Sequence, residues 1–104
     1  MRVALFCLVA LCSGVASADY FTGNDLKKHL LDSGREVDEA MYRGYVAGVQ
    51  DSYNGVLFCV PEEVLMSQAS ALVRKYIADK PKFWHKAGKQ MIVDALREAY
   101  PCMK

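Results

Sequence analysis

Two histidines, four cysteines and a pair of adjacent glutamates are the groups in this 104-residue chain with the most obvious chemical potential. A zinc site wants three or four ligands at helical or loop spacing. His29 and His85 stand far apart, neither with a ligand-type residue at i+4, and both read as surface or helix-end histidines. A cysteine nucleophile needs a free thiolate beside a base, and Cys59 and Cys102 are better explained as a bonded pair, as argued below. Ser67 and Ser70 lack the Gly-x-Ser-x-Gly setting of a nucleophile elbow. Glu62 and Glu63 follow Pro61 as neighbours, so their carboxylates point apart, which suits a solvated or partner-contacting loop better than acid–base work. Met41, Met66, Met91 and Met103 are scattered, without the clustering of a copper site. The expectation is a protein without a catalytic centre, a resident metal or a cofactor.

The elements that would position these residues begin after a leader. Met1-Arg2, an apolar run over residues 3–12 and the small-residue sequence Ala16-Ser17-Ala18 have the three-part pattern of a secretory signal peptide. The run is about ten residues, half of the ~20 a spanning helix needs. Val9-Ala10-Leu11-Cys12 resembles a lipoprotein box, but Leu11 stands where a small residue is usual. Cleavage is expected after Ala18, leaving residues 19–104 as one exported domain. No later apolar stretch is long enough to cross a bilayer, so no membrane insertion is expected after cleavage.

The full chain has thirteen basic and twelve acidic residues, and losing Arg2 brings the mature domain to formal neutrality. A neutral domain lacks the electrostatic footprint of nucleic-acid binding and argues against a polybasic membrane patch. Loss of the leader also leaves Cys59 and Cys102 as the only cysteines. Two cysteines in an oxidising compartment usually pair. The pair closes a loop of about 42 residues, worth roughly 4 kcal/mol on chain-entropy grounds. That matters in a domain whose size permits only a modest core.

Helical periodicity dominates the mature chain, and no run alternates β-branched and polar residues. The fold class expected is all-α, a small bundle of about four helices with one disulfide. Thr22-Gly23-Asn24-Asp25 supplies capping groups for a first helix carrying Leu26, Leu30 and Leu31, which Gly34 ends. A second helix is expected over residues 36–53, stopped by Asn54-Gly55. A third should start with Ser67 as its cap and run to about Asp79, burying Leu72, Val73, Tyr76 and Ile77. A fourth should run from Trp84 or His85 to Ala99, with Ala87, Met91, Ile92, Ala95, Leu96 and Ala99 inward.

In the second helix Ala40, Gly44 and Gly48 recur every fourth residue and share one face. Glycine in a helix interior costs ~1 kcal/mol relative to alanine. The expected compensation is helix packing, by close approach of another helix backbone or of a large ring such as Trp84. A small-xxx-small membrane dimer is the sharper alternative, against which Arg43, Gln50 and Asp51 stand.

Five blocks then carry a resemblance: Tyr20-Phe21-Thr22-Gly23-Asn24-Asp25-Leu26, Gly44-Tyr45-Val46-Ala47-Gly48-Val49-Gln50-Asp51, Phe58-Cys59-Val60-Pro61-Glu62, Val73-Arg74-Lys75-Tyr76-Ile77 and Ala95-Leu96-Arg97-Glu98-Ala99-Tyr100-Pro101-Cys102. In this order, after a signal peptide, they resemble the Rap/Tai family of type VI secretion immunity proteins. The resemblance implies a helical periplasmic protein that binds a peptidoglycan amidase effector, plugs its active-site cleft with a loop, and often forms a homodimer. The family's usual second disulfide has no counterpart here, where the matching neighbourhoods read Lys28-His29-Leu30 and Met41-Tyr42-Arg43. On this reading Tyr53, Asn54, Leu57, Glu62 and Glu63, flanking the loop held by Cys59, form the expected contact with a catalytic Cys/His pair. Packing or solvating the loop is the alternative role for the same residues. Two other functions stay open on the residues themselves: a small periplasmic acid-stress chaperone, using apolar surface bared when acid loosens the fold, and an envelope assembly or binding protein.

Overall fold

Gly23 and Gly88 mark the place where the two ends of the bundle lock together. In the computed structural model, which describes residues 20–103, a short stretch after Tyr20 runs antiparallel to the turn before the last helix. Gly23 N–H donates to Lys86 O at 2.8 Å, Asn24 N–H to Trp84 O at 2.8 Å, and Gly88 N–H to Phe21 O at 2.7 Å. The backbones come so close that a β-carbon on Gly23 would lie 2.8 Å from Trp84 Cα, and one on Gly88 would lie 3.1 Å from Phe21 O. The expected signal segment and its cleavage site fall outside the described residues.

Four helices follow in order: α1 (Asp25–Leu31), α2 (Glu36–Tyr53), α3 (Met66–Asp79) and α4 (Gly88–Ala99), with a single 3-10 turn, Pro81–Phe83, between the last two. No β-sheet occurs among the described residues. Among the described residues the fold is therefore the expected all-α bundle with one disulfide. α2 has the expected bounds, because Gly55 after it takes a φ of +87°, a conformation open to glycine and costly for other residues.

The other three helices differ from expectation at their ends. α1 is wound with i→i+5 bonds, such as Asp32 N–H to Lys27 O at 2.9 Å, and stops at Leu31. Gly34 lies beyond it, at φ +74°, in the connection to α2. Thr22 and Asp25 cap its start reciprocally: Thr22 N–H donates to Asp25 Oδ2 at 3.0 Å and Asp25 N–H to Thr22 Oγ1 at 3.2 Å. The Thr22 N–H donated to the carboxylate, with the Thr22 hydroxyl beside it, holds the Asp25 carboxyl below its ordinary pKa. α3 starts one residue before Ser67; Leu65 is its cap residue, and Gln68 Oε1 accepts the Leu65 N–H at 2.7 Å. α4 starts at Gly88 because residues 84–87 are engaged with the entering chain.

One core joins the helices. Leu26 and Leu30 of α1, Tyr42, Val46 and Val49 of α2, Ala69, Val73 and Ile77 of α3, and Met91, Ile92, Val93, Ala95 and Leu96 of α4 are buried. Each large aliphatic side chain among them contributes about 1.5–3 kcal/mol by leaving water. Of the positions expected inward, Leu72, Tyr76 and Ala87 are half-buried, and Ala99 is exposed. Tyr42 brings a polar tip into the core, where its hydroxyl donates to Ser70 O at 2.6 Å and ties α2 to α3. Trp84 is half-buried, its indole N–H donating to Ile77 O at 2.7 Å while the Lys27 ammonium sits 5.6 Å from its ring centroid.

Candidate functional site

Asn54 and Gly55 turn the chain out of α2 into a segment anchored at short intervals. Asn54 N–H donates to Gln50 O at 2.9 Å, and Val56 and Leu57 N–H both reach Tyr53 O, at 2.9 and 3.0 Å. Gly55 N–H donates to Phe58 O at 2.7 Å, closing a tight turn. Asn54 Oδ1 then accepts the Val60 N–H at 2.8 Å. Phe58 and Val60 point into the core. Between them Cys59 is bonded to Cys102, and its N–H donates to Tyr100 O at 2.8 Å. The expected pairing of these cysteines is the one the structure has.

This anchoring sorts the five residues expected at the contact. Tyr53 is half-buried against the core. Asn54 is exposed yet engaged by two of the bonds that shape the turn. Leu57 is exposed at the turn, and Glu62 and Glu63 are exposed after Pro61. Sequence reasoning missed Val56, which is 73 % exposed beside Leu57. Its signal was an apolar residue placed directly after Asn54-Gly55, where turn chemistry favours polar groups. Leu65, 63 % exposed before α3, extends the apolar surface of the same connection. Buried anchors hold the backbone of residues 54–60, while its outward side chains are apolar at the tip and acidic a few residues on.

The helix-packing role expected of Ala40, Gly44 and Gly48 inside the chain is not what the structure shows. All three are exposed, and a β-carbon built on Gly44 or Gly48 would meet no atom within 4 Å. Four-residue spacing puts side chains on one face without saying which face is inward. Here Tyr42, Val46 and Val49 take the core, so the small residues turn to solvent. Trp84 packs elsewhere, against Ile77 and Lys27.

The two histidines are on different elements, both exposed, and His29 Nε2 lies 3.9 Å from Asp25 Oδ1. Among the described residues no three of His, Cys, Asp and Glu gather into a cage for a metal ion. A charge cluster joins α2 to α3, where Glu39 pairs with Arg74 and with Arg43 at 3.4 Å. Arg74 also stands 5.4 Å from the Tyr42 ring centroid. No helix among the described residues is long and apolar enough to cross a membrane. What this geometry offers a partner is shape and a small number of fixed side chains.

Comparison with known proteins agrees with the resemblance in the sequence blocks. The family model for Rap1a immunity proteins matches residues 8–102, nearly the whole chain. No curated protein matches it.

Proposed function

The chain belongs to the Rap1a immunity protein family, and from that premise we propose that it is a periplasmic immunity protein of a type VI secretion system that inhibits a peptidoglycan amidase effector by occupying its active-site cleft. The observation that carries this reading is the anchored turn at residues 54–60, with Val56 and Leu57 outward and Cys59 fixed to Cys102. An inhibitor of this kind performs no reaction. Its affinity depends on contact energy that is not spent on ordering the contact surface at the moment of binding.

The roles divide along the geometry. Val56 and Leu57 are the apolar anchors, with Leu57, Glu62 and Glu63 retained from the contact set read in the sequence. Apolar anchors at the centre of an interface carry most of the affinity, while surrounding charges exclude water and orient. Tyr53 and Asn54 serve by holding the turn, Tyr53 through its carbonyl and core packing, Asn54 through its bonds to Gln50 and Val60. Secretion through the signal segment delivers the protein to the compartment where such an amidase acts.

The test is co-expression with a periplasmically directed amidase of this effector class. The native protein is expected to prevent lysis. The double variant Val56→Asp, Leu57→Asp is expected to lose protection and to weaken binding by about 30-fold or more, with its urea midpoint unchanged because neither side chain is in the core. Full protection by that variant would remove the turn from the mechanism. Continued lysis beside the native protein would reject the amidase as the target.

A further inference from the structure

The ion cluster between α2 and α3 does not balance. Both guanidinium groups converge on one carboxylate oxygen, Glu39 Oε2, Arg74 through Nη2 and Arg43 through Nε at 3.4 Å. One negative charge faces two positive ones, and among the described residues no other carboxylate lies within ion-pair distance of either arginine. Each guanidinium carries five N–H donors, so most of the pair's donors have no acceptor among the described residues. Beside them a groove of about 490 Å³ opens between the two helices, in the size range of small-ligand clefts. Its other walls are Met66, Ser67, Ser70 and Ala71, and Glu39 is the one acid that borders it. The Arg74 guanidinium stands 5.4 Å from the ring centroid of Tyr42, a buried side chain whose hydroxyl is fixed to Ser70 O. That ring and Glu39 hold Arg74 in place ahead of any ligand, which lowers the ordering cost of binding one.

We propose that this groove is a carboxylate-binding site for the free end of a short peptide of small residues. The terminal carboxylate takes the unfilled edges of Arg43 and Arg74, the fork geometry in which guanidinium groups bind carboxylates best. Its single charge brings the cluster from one net positive charge to neutrality. The Ser67 hydroxyl, exposed and without a hydrogen bond among the described residues, faces the adjoining peptide group, and small side chains lie against Ala71 and Met66. Both arginines are partly exposed, so water screens the contact, and a dissociation constant of about 1–10 mM is expected. Peptidoglycan stem peptides end in this chemistry, so the site gives the protein a hold on the polymer that its proposed target attacks. The binding itself depends on α2 and α3 alone and holds whichever enzyme the turn at residues 54–60 engages.

NMR titration of the oxidised mature protein with N-acetyl-D-alanyl-D-alanine, at low salt and up to about 20 mM peptide, is the direct test. Saturable shifts are expected at Arg43, Arg74 and residues 66–71. The same peptide with its C-terminus amidated carries no charge and should give no saturable shift. Arg43→Gln and Arg74→Gln should each raise the dissociation constant about fivefold or more, and Arg74→Lys, which keeps the charge and loses the fork, should recover only part of that loss. Glu39→Gln removes the competing carboxylate and should tighten binding about threefold, a gain that damage to the fold cannot produce. No saturable shift, equal shifts with the amide, or binding indifferent to both arginines overturns the proposal. Loss of protection against an amidase in the arginine variants, by a protein that never binds the peptide, would assign the groove to the effector and overturn it equally.

Discussion

A β-carbon on Gly23 would sit 2.8 Å from Trp84 Cα, whereas one on Gly44 or Gly48 would touch nothing. The same substitution should therefore have opposite signs at these positions. Gly44→Ala and Gly48→Ala are each expected to stabilise the fold by about 0.5–1 kcal/mol, by removing glycine's entropy cost in a helix interior. Gly23→Ala is expected to destabilise by about 1–3 kcal/mol, because behind the Met91 side chain the added carbon meets Trp84 Cα and O, which belong to backbone that is itself hydrogen-bonded. Urea unfolding of the three variants checks both signs. The sequence showed the α2 glycines plainly through their spacing, yet spacing alone could not assign the face to core or solvent. Gly23 and Gly88 carry no periodic signal. Their role depends on two segments some sixty positions apart meeting in space, as in the hydrogen bond from the Asn24 side chain to Trp84 O.

Between helices, the disulfide is the element that reconciles a long connection with a fixed shape. Cys59 and Cys102 are 43 positions apart, so their bond constrains the unfolded chain over α3, α4 and both flanking loops. Replacing both by serine is expected to cost roughly 4 kcal/mol on the loop-entropy scale, and to lower the melting temperature by about 15–30 °C for a domain of this size. Calorimetry of the oxidised protein against the double serine variant measures it. The pairing was legible because setting aside the expected leader leaves two cysteines. The bounds of α2 were legible because Asn54-Gly55 is strong turn chemistry. The start of α4 was not: Trp84 and His85 are compatible with a helix, but the Trp84 and Lys86 carbonyls accept N–H groups from the chain entering α1 instead. Ser67 had the right composition for a cap, but Gln68 reaches back to Leu65 and starts α3 earlier. In the proposed contact loop the exposure of the acidic pair and of Leu57 could be read from position. The outward placement of Val56 could not, since it follows from where Phe58 and Val60 find the core.

For the molecule as a whole, the core's response to pH turns on one buried phenol. Burial pushes the Tyr42 hydroxyl well above its ordinary pKa; Glu39 adds to the rise, and Arg74 partly opposes it. An unfolded tyrosine releases its proton near pH 10. Above that pH the unfolded chain loses a proton that the native core retains, so stability is full below about pH 10 and declines as pH rises toward the higher native value. The urea midpoint should accordingly fall on going from about pH 9 to pH 11. Tyr42→Phe should start lower at neutral pH by about 0.5–1.5 kcal/mol, for the lost bond to Ser70, and fall less steeply. Equal slopes in the two proteins would place the alkaline sensitivity elsewhere.

Trp84 gives the assembled domain an optical handle. It is the chain's single tryptophan, and its surroundings come from two helices: Ile77 O of α3 accepts the indole N–H, and the Lys27 ammonium of α1 lies over the ring. Its emission consequently monitors one junction without interference from a second indole. Undocking of the N-terminal segment alone would change that spectrum while leaving circular dichroism nearly unaltered, so the two readings together separate loosening of one end from collapse of the whole.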